Sequence, residues 1–221
     1  MAERTEERSD FERWGAMRFF FIRVAMRFKR WLTLCRIHTR VLDQPAREPL
    51  LPKGFSVRVT SREELLRAAQ DPVMGLNPAN VDAALQRGDL CAATFDGDRM
   101  VAYVWRSFST APHADGLWVT FERPYRYGYK GFTHPDYRGQ HLRDAPVFLT
   151  DRLCVERGFT HALAFVELGN LPSIAQDQRR DNRVVGWAGY FKLFGRVYPF
   201  RTPGARRHTF RFVRRSEPSF Q

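Results

Sequence analysis

From residue 11 to residue 42 the apolar positions recur in steps of three and four: Trp14, Met17, Phe21, Val24, Phe28, Trp31 and Cys35. That is the spacing of one face of an α-helix, and the run holds no proline and one glycine, so it predicts an amphipathic helix over 11–42. Arg18, Arg23, Arg27, Lys29, Arg30 and Arg36 lie largely on the remaining surface, which also carries Phe19, Ile22, Met26 and Leu34. Such a stripe packs on the protein's own core or a second subunit, or lies in a membrane interface with its arginines on anionic headgroups. No uncharged run approaches the ~18–20 residues of a spanning helix. Arginines also interrupt the region where a secretory signal needs an unbroken apolar stretch.

Pro45, Pro49, Pro52 and Gly54 read as a linker, and beyond it the period changes to two. Residues 55–60 alternate like a strand, and Ser61 with Glu64 forms a capping box for a helix through Gln70. A second short helix is expected over 80–86, closed by Gly88. Residues 90–95 and 100–108 are strand-like around Asp96-Gly97-Asp98, a hairpin signal. Strands are expected at 117–122 and 125–133, then an Arg-Gly turn, a helix stopped by Gly158, and a strand leading to Asn170. Residues 184–213, rich in Gly and aromatics, read as the final strands. Their basic-aromatic alternation is that of a pleated strand, so nucleic acid is not an expected partner. The order β-α-α-β-β-β-β-α-β-α-β predicts an α/β (α+β) fold: a mixed, twisted sheet with helices on both faces, preceded by the amphipathic helix. The expected organisation is a basic helical extension and linker at 1–54, one domain at 55–213 and a tail at 214–221.

At 221 residues the chain is long enough to bury a core without staples, and its formal charge of +12 points to acidic partners or phosphate-bearing ligands. Cys35, Cys91 and Cys154 show no paired spacing, and the six histidines show no two-His helical spacing, so neither a disulfide framework nor a metal site is expected. A reducing cytoplasm is the simplest setting.

The stretch 131–170 carries the chemistry. It runs strand, Pro-Asp-Tyr-Arg-Gly turn, helix, glycine and strand, and a turn of this kind entering a helix presents free backbone N–H groups to an anion. Pro135, Tyr137, Arg138, Gly139, Gly158, Asn170 and Ser173 stand in the order that resembles the GNAT superfamily of acyl-CoA-dependent N-acyltransferases. The sequence departs from that pattern at His141 and Arg143, which stand where the family has glycines, and at Asp177, in the slot of a Tyr that many members use to protonate the leaving thiolate. It resembles a divergent member.

The resemblance implies that acetyl-CoA or another acyl-CoA is the co-substrate, held by Phe132, Thr133, Arg138, Gly139, Gln140, His141, Leu142, Arg143, Asn170 and Ser173. A backbone N–H of the strand before the turn would meet the acyl carbonyl. For proton transfer the candidates are Glu122, Glu167, Tyr129 and Ser173, with Tyr127, His134 and Asp177 further afield. The implied acceptor is an amine on a small metabolite. A second copy, an anionic membrane surface at the inner face of the membrane, or an acyl carrier protein are the further partners to be considered. Two alternatives stay open: a long-chain or carrier-dependent acyltransferase at a membrane, and a degenerate, non-catalytic domain that binds acyl-CoA or a protein.

Overall fold

The computed structural model describes residues 31–42, 48–114, 116–168, 170 and 182–215. Most of the helix expected over 11–42 lies outside the described residues, as do Ser173, Asp177 and the segment that leads to the final strands. The end of that predicted helix is a strand, β1 (Leu32–Val41), with Thr33, Cys35, Ile37 and Thr39 buried. The correction has a local cause: over 32–41 the inward positions also fit a period of two, and β-branched Thr33, Ile37, Thr39 and Val41 prefer a pleated backbone to a helix.

The chain divides into two compact units, one of residues 39–164 and 213–221, the other of 1–38 and 165–212. In the larger unit β2 (Phe55–Val59), β3 (Leu90–Asp96), β4 (Arg99–Ser107) and β7 (Tyr125–Thr133) pair antiparallel in that order. β8 (His161–Glu167) then adds to β7 in parallel, which makes the sheet mixed. A separate hairpin, β5 (Thr110–Pro112) and β6 (Leu117–Thr120), precedes β7.

Helices cover both faces of this sheet. On one, α1 (Arg62–Ala68), the single turn Pro72–Met74 and α2 (Pro78–Gln86) bury Leu65, Met74, Val81 and Ala84 against Cys91, Phe95, Tyr103 and Trp105. The expected capping box is present: Ser61 Oγ accepts from Glu64 N–H at 3.2 Å, and Glu64 accepts from Ser61 N–H at 2.9 Å. On the other face lies α3 (Asp144–Glu156), preceded by the buried Leu142, which packs on Val101 and Ala102.

The smaller unit holds the hairpin β9 (Arg183–Leu193) and β10 (Arg196–Arg201), with Lys192 N–H donating to Trp31 C=O beside the start of β1. The short α4 (Pro203–Arg207) lies against β9 so closely that a Cβ on Gly204 would sit 1.9 Å from Val185 O; only glycine fits there. β11 (Arg211–Arg214) brings Phe212 against Phe165, Phe210 and Tyr190. Among the described residues no helix is long and apolar enough to cross a membrane, and no cluster of three or more His, Cys, Asp or Glu forms a metal site.

Candidate functional site

β7 runs into a single helical turn, Pro135–Tyr137, whose capping residue His134 accepts from Asp136 N–H. Tyr137 Oη donates to Asp96 Oδ2 at 2.9 Å. The chain then turns through two left-handed residues, Gly139 at φ +83° and His141 at φ +56°. A non-glycine residue in that region costs about 1–2 kcal/mol. The backbone course that a glycine would favour is therefore kept at His141, with the imidazole directed out to solvent. Leu142 anchors the turn from below: it is 1% exposed, and its carbonyl accepts from Thr94 Oγ1 at 2.7 Å. The backbone N–H groups of Gly139, Gln140, His141 and Leu142 donate to no acceptor among the described residues. Four successive amides ahead of a helix N-terminus, flanked by Arg138 and Arg143, suit a diphosphate.

Among the described residues the strand before the turn has a free edge. β7 pairs with β8 only at Tyr125–His161, Arg126–Ala162 and Tyr127–Leu163, whereas β7 continues to Thr133. Tyr129 bulges out of the β4 ladder, since Arg106 pairs with Gly128 and Trp105 with Lys130. His134 N–H donates to Val101 C=O at 2.8 Å, and alternation along an antiparallel ladder then points the N–H and C=O of Gly131 and Thr133 away from β4. Arg143 lies across this edge: a Cβ on Gly131 would meet its Nη1 at 3.2 Å and Cδ at 3.3 Å, and Nη1 donates to Gly131 C=O at 3.4 Å. The second lost glycine is thus replaced by a side chain that rests on the strand.

Two polar networks flank the bulge, one on each face. On the α1/α2 face Tyr129 Oη donates to Asp89 Oδ2 at 3.1 Å, and Arg87 pairs with the same oxygen at 2.8 Å. Burial pushes the Asp89 carboxyl above its ordinary value despite Arg87, and burial together with Asp89 holds the Tyr129 phenol well above its own. Beside them Lys130, exposed at its surface, donates from Nζ to Gly75 C=O at 2.5 Å, and partial desolvation lowers the pKa of its ammonium. On the α3 face Arg106 and Arg126, 6% and 4% exposed, both lie against Gly128, where a Cβ would be 3.1 Å and 3.3 Å from their Nη1 atoms. Arg126 and Arg40 share the carboxylate of Asp151 on α3. Burial alone would raise that carboxyl; Arg126, Arg106 and Arg40 outweigh it and hold it below the usual range.

The structure brings Tyr129, Phe132, Thr133 and the run Arg138 to Arg143 onto one continuous strand and turn. Glu122 lies before the other end of β7, a strand that spans roughly 26 Å at strand rise. Glu167 ends β8 in the smaller unit, and its carbonyl accepts from the N–H of the exposed Asn170 at 2.9 Å. Tyr127 stacks on Tyr129 and packs at a tilt against Phe121. Sequence reasoning missed Asp89; the signal for it was weak, an acidic residue directly after the helix-stopping Gly88 and before an apolar strand. It also missed the buried set Arg40, Arg106, Arg126 and Asp151, whose members stand far apart in the chain.

No family model matches this sequence, and no curated protein matches it. Solved structures do. A GCN5-related N-acetyltransferase from Sphaerobacter thermophilus superposes with a TM-score of 0.52 at 14% identity, over 80% of this chain and 55% of its own. A tandem GNAT protein from the clavulanic acid biosynthesis pathway gives 0.50 at 16% identity, over 90% and 57%. A Drosophila protein gives 0.53 at 13% identity, over 80% and 58%. The chain therefore spans a little over half the length of these structures. The mixed sheet, the parallel strand that parts from β7 and the Arg-Gly turn into α3 are common ground with the sequence resemblance, and the chain has the fold of the GNAT acetyltransferases, with a divergent Arg-Gly turn.

Proposed function

We propose that the chain is an acyl-CoA-dependent N-acyltransferase that moves an acetyl or other acyl group to the amine of a small metabolite. One observation carries the reading: four amides, Gly139 to Leu142, free among the described residues, follow by one helical turn a strand whose outer edge is open beyond Tyr127 among those residues. The amides and Arg138 fit the diphosphate, and the edge N–H groups of Gly131 and Thr133 fit the thioester carbonyl, where one well-aimed donor is worth roughly 3 kcal/mol as charge develops. In the reaction the amine nitrogen bonds to the acyl carbon, the C–S bond breaks with its electron pair left on the CoA sulfur, and the proton shed by the amine ends on that thiolate. Tyr129, backed by the buried Asp89, is the group on the bulge suited to pass that proton on.

Arg143 across Gly131 favours a second reading, a degenerate domain that holds a ligand or partner without turnover. Titration calorimetry of the full chain with CoA, acetyl-CoA and a long-chain acyl-CoA, with Arg138→Ala as control, is the first test. Saturable binding that weakens in the control supports the acyl-CoA site; absence of binding to all three overturns it. Tyr129→Phe and Asp89→Asn should each lower kcat about 100-fold in a thiol-release assay with little change in acyl-CoA binding. Full binding with no turnover in the wild type would instead favour the non-catalytic domain.

A further inference from the structure

The β9–β10 hairpin turns one face into its own unit and, among the described residues, leaves the outer part of the other exposed. Ala188 and Tyr190 are buried, Tyr190 against Phe212. By the register, Gly189, Phe191 and Leu193 share the opposite face with Phe200, Tyr198 and Arg196. That face should be polar if it met only water. Instead Phe191 and Leu193 are 41% and 42% exposed, Tyr198 and Phe200 are 38%, and Phe191 stacks on Tyr198 at 5.1 Å. The two-residue turn at the tip is Phe194–Gly195, both left-handed at φ +48° and +71°, and Phe194 is 89% exposed. Asn or Asp is the ordinary first residue of such a turn. A phenylalanine held there against its backbone preference, with its ring in water, serves no packing purpose within the unit.

Charge selects the partner. Residues 182–212 contain six arginines, one lysine and no Asp or Glu. A second copy of so basic a segment would repel the first. At the base of the hairpin a cavity of about 220 Å³ is lined by Pro199, Phe200, Arg201, Arg211 and Phe212, apolar walls with two guanidinium-bearing residues. Aromatic and aliphatic side chains projecting from a basic surface match the membrane interface, where rings sit at the acyl boundary and arginines meet phosphates.

We propose that the β9–β10 hairpin is a docking surface for an anionic lipid bilayer, with Phe194 at its leading edge and basic residues on the headgroups. This is independent of the acyl-transfer reading and does not involve the basic run at 11–30. The test is co-sedimentation of the full chain with vesicles of phosphatidylcholine alone and of equal parts phosphatidylcholine and phosphatidylglycerol. The chain should partition to the anionic vesicles only, and less at high salt. Leu193→Ser with Phe194→Ser should lower the partition coefficient about tenfold or more, at an unchanged melting temperature and near-UV circular dichroism. Arg196→Glu, which leaves the apolar tip intact, should lower it as well. The proposal is overturned if the wild type ignores anionic vesicles, or if the double variant binds them as the wild type does, which would move the binding elsewhere in the chain. It is equally overturned if sedimentation velocity shows a dimer that the double variant dissolves, or if the hairpin variants lose binding to a single-stranded oligonucleotide while vesicles are not bound.

Discussion

Asp151→Asn keeps the shape of a buried side chain and removes its charge. Asp151 is 4% exposed and faces Arg126, whose side chain is 5% exposed, and Arg40, whose side chain is 25% exposed. Arg40 can turn its guanidinium toward water, so its share of the loss is discounted. Arg126 cannot, and Arg106 lies with it against Gly128. Removing the Asp151 carboxylate leaves the buried Arg126 guanidinium facing an amide, and breaking a buried pair in this way costs about 3–5 kcal/mol. A chain of this size loses about 2–4 °C of melting temperature per kcal/mol, so a fall of roughly 10 °C is expected.

Urea unfolding at neutral pH measures the free energy directly, with the exposed Arg62–Asp82 pair as a control whose Asp82→Asn variant should not shift the midpoint. The pH dependence gives a second check. The folded chain holds the Asp151 carboxyl below its unfolded value, so its contribution is fully present above the unfolded value near ~4 and is lost as acid carries the pH down through the folded value. The gap between wild type and variant should therefore narrow below about pH 4. A loss under about 1 kcal/mol at neutral pH, or a gap that does not change with acid, would show that the guanidiniums are compensated by water rather than by Asp151.

Arg143→Ala opens the Gly131 edge of β7 and removes a cation beside the turn. It should tighten a phosphate-free donor such as S-acetyl-pantetheine about three- to tenfold while CoA gains less, read by titration of both ligands; equal changes in the two would refute the contact's role. Gly204→Ala drives a methyl into Val185 O, where the Cβ position is 1.9 Å away, and should cost about 3 kcal/mol in thermal or urea unfolding. An unchanged midpoint would mean that α4 moves freely off β9.

Local chemistry carried most of the fold into the sequence. The Ser61 capping box, the turn around Gly97 and the Arg-Gly turn each depend on residues within a few positions, and each stands where those residues place it. Residues 32–41 show where local pattern is ambiguous. A three-four apolar spacing and a two-residue alternation share Cys35 and neighbouring positions, and the pairing of Thr39 Oγ1 with Ala162 C=O, 123 residues away, belongs to the strand alone. The site divides in the same way. Its turn was readable because anion binding uses consecutive amides. Asp89, 40 residues from Tyr129, and Asp151, 111 residues from Arg40, acquire their shifted carboxyls only when the sheet and α3 close over them.

The bond from Thr94 Oγ1 to Leu142 C=O reaches across 48 residues and fixes the turn to β3, while α3 fixes its far end. Folding has thus already removed the disorder that a loose phosphate-binding loop would surrender on contact with its ligand. Kinetics should report this. Association of an anionic ligand with the turn should proceed in a single phase, with a rate set by encounter and orientation and falling steeply with ionic strength; a slower, concentration-independent step would require the turn to rearrange.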